Sequence, residues 1–142
     1  MGCVYGWPSP VKTPRQSLGN WGEGVAAAYL ETHGYSVLDR NARTPYGEID
    51  IVARQQLRDS GKLPSIPESI VFVEVKTRST RAFGPPEQSV TARKQAHMLS
   101  AAQFYLQEHP ELDGDWRIDV IAVARYRPDR RVEIQHFENV IQ

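Results

Sequence analysis

Between Ser17 and His33 apolar residues recur at spacings of three and four: Leu18, Trp21, Val25, Ala28 and Tyr29. That periodicity predicts an amphipathic helix. Gly34 follows as its C-terminal cap, while Gly22 and Gly24 weaken the helix locally. The pattern then changes to short β-branched runs. Tyr35–Arg40 and Ile49–Arg54 read as strands around the turn signal Thr44-Pro-Tyr-Gly47. Ile70–Thr77, with sequence IVFVEVKT, is the strongest strand pattern in the chain. Helical spacing returns over Gln88–His109, where Met98, Ala101, Ala102, Tyr105 and Leu106 form an apolar stripe and Pro110 marks the end. Trp116–Ala124 and Val132–Phe137 complete the set as strands four and five.

The order αβββαββ predicts an α/β fold. Hairpins join the early strands, and a helical crossover precedes the fourth, which implies a mixed sheet flanked by helices. Residues 1–16, with Pro8, Pro10 and Pro14, read as a mobile N-terminal arm. Residues 17–142 read as one domain, in which 56–69, carrying Gly61, Pro64 and Pro67, forms a long flexible hairpin loop.

Composition adds bounds. The 142 residues are 40% hydrophobic and 24% charged, enough for a core under a polar surface. No apolar run reaches the roughly 20 residues of a membrane span, so no membrane partner is expected. Met1–Pro14 lacks the order of a signal peptide. The start Met1-Gly2-Cys3 has Gly at position 6, where an acylation signal needs Ser or Thr. The single cysteine, Cys3, excludes an internal disulfide and favours a reducing, cytoplasmic setting. Net charge is zero, unlike a protein that coats DNA. Locally the balance differs: Phe72 to His97 holds Lys76, Arg78, Arg81, Arg93 and Lys94 against Glu74 and Glu87, five minus two, or three positive charges in excess.

Chemistry concentrates in the third strand. Side chains alternate along a strand, so Ile70, Phe72, Glu74 and Lys76 share one face, opposite Val71, Val73 and Val75. Neither charge is cheap in such a strand without a partner or a metal. Asp50, in the neighbouring strand, can converge on Glu74, and two close carboxylates repel unless a cation or a proton intervenes. Hard oxygen ligands suit Mg²⁺ or Mn²⁺, and Lys76 could position an attacking water or neutralise a phosphate. Glu23 lies on the helix face of Gly19, Ala26, Ala27 and Leu30, whose small side chains permit close approach to the sheet. Arg78 and Arg81 on the following loop, and Gln88, Arg93 and Lys94 at the start of the second helix, are candidate phosphate contacts.

Milder readings stand beside these. Asp50 and Lys76 could form a structural ion pair only. Asp119 is read as structural, paired with Arg78 or Arg117. His33, His97, His109 and His136 show no metal-ligand spacing and read as surface or helix-end residues. Trp7, Trp21 and Trp116 read as core or arm residues.

Several separated motifs together resemble the YraN-like family of uncharacterised proteins: Gly22-Glu23 with Ala26-Ala27-Ala28-Tyr29-Leu30, Gly47-Glu-Ile-Asp50, Phe72-Val-Glu-Val-Lys76-Thr-Arg78, Phe83-Gly84 and Arg117-Ile-Asp119-Val. They run from about Gly19 to Ala124. That family is similar to the PD-(D/E)xK nucleases of restriction-endonuclease-like fold, and within them to archaeal Holliday-junction resolvases. In this chain Ile49 takes the place of the motif's proline. The resemblance implies Asp50, Glu74 and Lys76 as catalytic residues, Glu23 as an auxiliary acid, Asp50, Glu74 and Glu23 as ligands of Mg²⁺ or Mn²⁺, and branched or damaged DNA as substrate. The alternatives are a non-catalytic nucleic-acid-binding module of the same fold and a protein-interaction domain. A homodimer would suit an enzyme that cuts two strands.

Overall fold

A computed structural model describes residues 14–56, 68–79, 91–126 and 131–141. The order is α1 (Pro14–Thr32), β1 (Tyr35–Thr44), β2 (Gly47–Gln55), β3 (Ser69–Arg78), α2 (Ala92–Glu108), β4 (Trp116–Arg125) and β5 (Val132–Phe137). The five strands form one mixed sheet in the order β1-β2-β3-β4-β5. Only the β3–β4 pairing is parallel, and α2 makes that crossover. The expected α/β fold with helices against a mixed sheet is what the chain forms.

Helix α1 begins three residues before the expected Ser17. Pro14 is its first residue, a position where the missing N–H costs nothing. Residues 14–16 are therefore helix, not arm. Strand β1 continues four residues past Arg40, so the β1–β2 turn is tight. Most of the 56–69 loop, and residues 1–13, lie outside the described residues.

Each sheet face has its own core. On one side Ala26, Ala27 and Leu30 of α1 pack against Ile51, Ala53, Val71, Val73, Ile121 and Val123. On the other, Ala101, Ala102 and Tyr105 of α2 pack against Ile49, Val52, Ile70, Phe72 and Ile118. The β3 residues divide by parity, as a strand requires. The α2 stripe is as expected. The α1 stripe is corrected: Ala28 is exposed, while the small-residue face with Gly22, Ala26, Ala27 and Leu30 is buried, and Trp21, Val25 and Tyr29 only flank it. Small side chains let the helix lie close to the sheet. A Cβ at Gly22 would overlap the Thr77 side chain on β3. Among the described residues no helix is long and apolar enough to cross a membrane.

Candidate functional site at a fork between two strands

Strand β2 breaks the alternation rule at one place. Ile49 and Ile51 should share a face, yet they lie in opposite cores. The irregularity falls on Asp50 between them. Pairing with β1 runs Arg40 with Ile51 and Ala42 with Ile49, with no pair between Asn41 and Asp50. Asn41 has φ 54°, a left-handed conformation that asparagine tolerates better than most residues. On its other side β2 pairs with β3 only as far as Ile51 with Val73. The two strands then part, and Asp50 Oδ2 accepts a 2.8 Å hydrogen bond from the Val75 amide. The carboxylate takes the place of a backbone carbonyl at the end of the ladder.

Glu74 lies beside it on β3, close enough for its charge to act on the Asp50 carboxyl. Burial first, then the charge of Glu74, pushes the Asp50 carboxyl up to about 8. Glu74 is held from its other side by two cations. Lys94 Nζ stands 3.0 Å and Lys76 Nζ 3.4 Å from Glu74 Oε1. Lys94 comes from the first turn of α2, whose N-cap Thr91 accepts from the Lys94 amide at 3.2 Å. The two lysines differ. Burial, then the neighbouring Lys94, lowers the proton affinity of Lys76. Burial opposes the charge on Lys94 too, but contact with Lys76 and the negative charge of Glu74 outweigh it and raise its pKa.

Glu23 approaches from the α1 side. The Asn41 amide, with its nitrogen turned to the carboxylates, donates to Glu23 Oε2 at 2.9 Å and to Glu48 Oε1 at 2.8 Å. Burial raises the Glu23 pKa, and the charges of Glu48 and Glu74 add to that rise, while the Asn41 bond and Arg40 oppose it. Helices on opposite faces thus both reach the opening between β2 and β3.

The structure brings together Asp50, Glu74, Lys76 and Lys94, with Glu23 close enough to feel the first two electrostatically. Lys94, a candidate phosphate contact, lies 3.0 Å from the Glu74 carboxylate. Arg78 ends β3, not a loop, and is partly buried. Arg93 is exposed in the first turn of α2. Arg81 and Gln88 lie outside the described residues. Asn41 and Glu48 were missed. Their signal was slight: an Asn-Ala pair just past the expected end of the first strand, and an acid two residues before Asp50.

Asp50 and Glu74 offer hard oxygen donors, and Mg²⁺ commonly binds through one or two carboxylates while keeping waters and taking substrate phosphate oxygens. The two acidic side chains stand together on neighbouring strands, partly withdrawn from water, an arrangement that a divalent ion can accommodate. The pair therefore fits Mg²⁺ or Mn²⁺ as an open, two-carboxylate site. Among the described residues no group of three or more His, Cys, Asp or Glu side chains is placed to enclose an ion. Next to the pair, a cavity of about 200 Å³ opens between Tyr46, Phe72, Glu74, Lys94 and Met98.

A second polar cluster is structural. Asp119 is fully buried. It accepts from Arg117 Nε at 3.0 Å and the Asn139 amide at 2.9 Å, and lies 2.7 Å from His136 Nε2. Arg117 also donates to Gln55 Oε1 and the Tyr35 hydroxyl. The Arg117 partner expected for Asp119 is present. His136 corrects the reading of that histidine as a surface residue: on the edge strand β5, its largely covered side chain pairs with the buried Asp119. Trp21 and Trp116 pack on the two cores.

The match to known proteins agrees with this site's sequence. The family model of the uncharacterised protein family UPF0102 matches residues 22–123. A UPF0102 protein of Syntrophotalea carbinolica is 47% identical over 123 residues, covering 87% of this chain and 89% of the relative. One of Geobacter metallireducens is 42% identical over 127 residues, covering 89% and 93%. One of Dehalococcoides mccartyi is 38% identical over 120 residues, covering 84% and 90%. With all the fork residues from Glu23 to Lys94 inside the matched span, the chain belongs to the UPF0102 family.

Proposed function

We propose that this protein is a divalent-metal-dependent endonuclease that hydrolyses phosphodiester bonds of DNA. The observation that carries the reading is the Asp50–Glu74 carboxyl pair at the strand fork, with Lys76 and Lys94 on Glu74. The likeness of the Asp50 and Glu74-Val-Lys76 motifs to PD-(D/E)xK nucleases supports it. Asp50 and Glu74 would hold Mg²⁺ or Mn²⁺, which when bound supplies positive charge against that developing on the reacting phosphate. The Val75 amide fixes the Asp50 carboxyl, so the donor pair is set before substrate arrives. Lys76, with its lowered proton affinity, is suited to exchange a proton with an attacking water. Lys94 keeps its charge and holds Glu74 in place.

A second reading has its own observation. Glu74 is already neutralised by two lysines without any metal, which suits a non-catalytic nucleic-acid-binding module of the same fold. A cleavage panel decides between them. It holds single-stranded, duplex, flap and four-way-junction DNA with Mg²⁺ or Mn²⁺, for the native protein and the Asp50→Ala and Lys76→Ala variants. Cleavage abolished in both variants supports the endonuclease. Salt-dependent binding with no cleavage under either metal supports the module.

A further inference from the structure

We propose that the cavity beside the carboxyl pair receives one unpaired nucleobase of the nucleotide next to the scissile phosphate, so that the substrate is DNA with an unpaired base at the cut. This rests on the nuclease reading for its phosphate, but the cavity has its own evidence. Its volume of about 200 Å³ lies below the roughly 300–1,000 Å³ of pockets for drug-sized ligands. That suits a single ring system. Phe72, Met98, Ala101 and Ile118 supply an apolar floor and wall, while Glu48 and Lys94 stand among the lining residues. A base has the same division, with apolar faces and a polar edge. Carboxylates accept from its amino groups and an ammonium donates to its carbonyls.

Tyr46 also lines the cavity, and it is 51% exposed, one of few large hydrophobics left to solvent among the described residues. Its turn is braced. Thr44 Oγ1 accepts from the Tyr46 amide at 3.1 Å and donates to the Gly47 carbonyl at 2.6 Å. Gly47 takes φ 125°, which a side chain would oppose. A ring held on such a turn is a ready stacking surface. Glu74 and Lys94 belong to both the cavity and the fork. An occupant of the cavity is therefore adjacent to whatever the carboxyl pair holds, which is the relation between a base and its own phosphate. A base stacked and paired in a duplex cannot enter without being flipped out, whereas a single-stranded or mispaired base enters at little cost.

The test is equilibrium binding, without divalent metal, of two single-stranded oligonucleotides that differ by one abasic position. The proteins are native, Tyr46→Ala and Tyr46→Phe, with thermal melting to verify folding. The native protein should prefer the intact oligonucleotide by roughly tenfold, within the range of base–aromatic stacking. Tyr46→Ala should lose that preference with abasic binding unchanged, and Tyr46→Phe should keep it. Equal affinity of the native protein for both oligonucleotides, or a preference that survives Tyr46→Ala, overturns the proposal. So does failure to bind either one. The cleavage panel separates the two readings. Cleavage that depends on Asp50, with no base preference, leaves the endonuclease and removes the cavity's role. A preference that depends on Tyr46, with no cleavage under either metal, leaves the cavity's role and removes the endonuclease.

Discussion

The Val75 amide donates to Asp50 Oδ2 at 2.8 Å, where the β2–β3 ladder has just ended at Ile51 and Val73. One hydrogen bond therefore both bridges the fork between the two strands and fixes the Asp50 carboxyl beside Glu74. Asp50→Asn keeps the side-chain oxygen that Val75 needs and removes the charge. It should fold and should lose cleavage at least a hundredfold, whereas Asp50→Ala should also lower the melting temperature. Equal activity of Asp50→Asn and the native protein would remove Asp50 from the reaction.

The pH dependence of stability follows from the same carboxyl. Its folded pKa, about 8, lies above its ordinary value of 3.8. The unfolded chain releases this proton more readily, so the associated stability is full below pH 4 and falls as pH rises toward 8. Asp50→Asn should abolish that fall and melt higher than the native protein at pH 8.5 without metal. Thermal melts from pH 5 to pH 8.5 check it. A native profile no steeper than the variant's contradicts the raised pKa.

Metal should act on the same slope with the opposite sign. A divalent ion held by the two carboxyls would have to displace protons from them, so its binding should be opposed by acid and favoured at pH 8. Adding Mg²⁺ should raise the melting temperature more at pH 8 than at pH 6, and chelation should reverse the gain. The shift should disappear in a Glu74→Gln variant. An equal shift in that variant would place the ion elsewhere.

The alternation of β3 and the spacing of α2 were legible in the sequence because both are periodic: β3 alternates between the two cores, and α2 lays one stripe on one of them. Glu74, Lys76 and Lys94 could be placed from that regularity. What could not be read is the irregularity at Asp50. The missing pair with Asn41, the left-handed Asn41 backbone and the early end of the β2–β3 ladder arise from how three strands meet, and no local pattern encodes them. Strict alternation puts Ile49 and Ile51 on one face, but the structure divides them. The α1 stripe was misjudged for a related reason. The stripe through Trp21, Val25 and Ala28 suggested the buried face, whereas the small-residue face of Ala26, Ala27 and Leu30, expected to approach the sheet closely, is the one that fills the core. His136 was overlooked because its partner Asp119 lies across the β4–β5 pairing.

The Asp119 cluster should matter to stability alone. Burial alone would raise the Asp119 pKa, but the bonds from His136, Arg117 and the Asn139 amide hold it below the usual carboxylate range. A depressed pKa stabilises the fold above the ordinary carboxylate value and loses that contribution as pH falls through the folded one. Asp119→Ala removes the buried carboxylate from Arg117 and His136, leaving Arg117 with Gln55, Tyr35 and the more distant Glu138, and should cost about 3 kcal/mol, with the acid-side loss reduced. Urea unfolding at pH 7 and pH 4 measures both. A loss below 1 kcal/mol would show that Arg117 finds compensation elsewhere.

Two glycines of α1 should respond oppositely to the same substitution. A Cβ at Gly24 meets nothing within 4 Å, so Gly24→Ala should gain about 0.5–1 kcal/mol from helix propensity. At Gly22 the new methyl would overlap the Oγ1 and Cγ2 of Thr77 and crowd its Cβ, so the helix and strand would have to move apart or Thr77 reorient. Gly22→Ala should therefore cost about 1–3 kcal/mol by pushing the helix outward. The next residue is Glu23, whose bond to Asn41 depends on that close approach. If Glu23 assists the Asp50–Glu74 pair, Gly22→Ala should also lower cleavage more than the stability loss explains, and Glu23→Gln should reproduce the activity change at full stability. Cleavage that follows only the folded fraction in Gly22→Ala, and is unchanged in Glu23→Gln, would leave Glu23 as a packing residue of the helix.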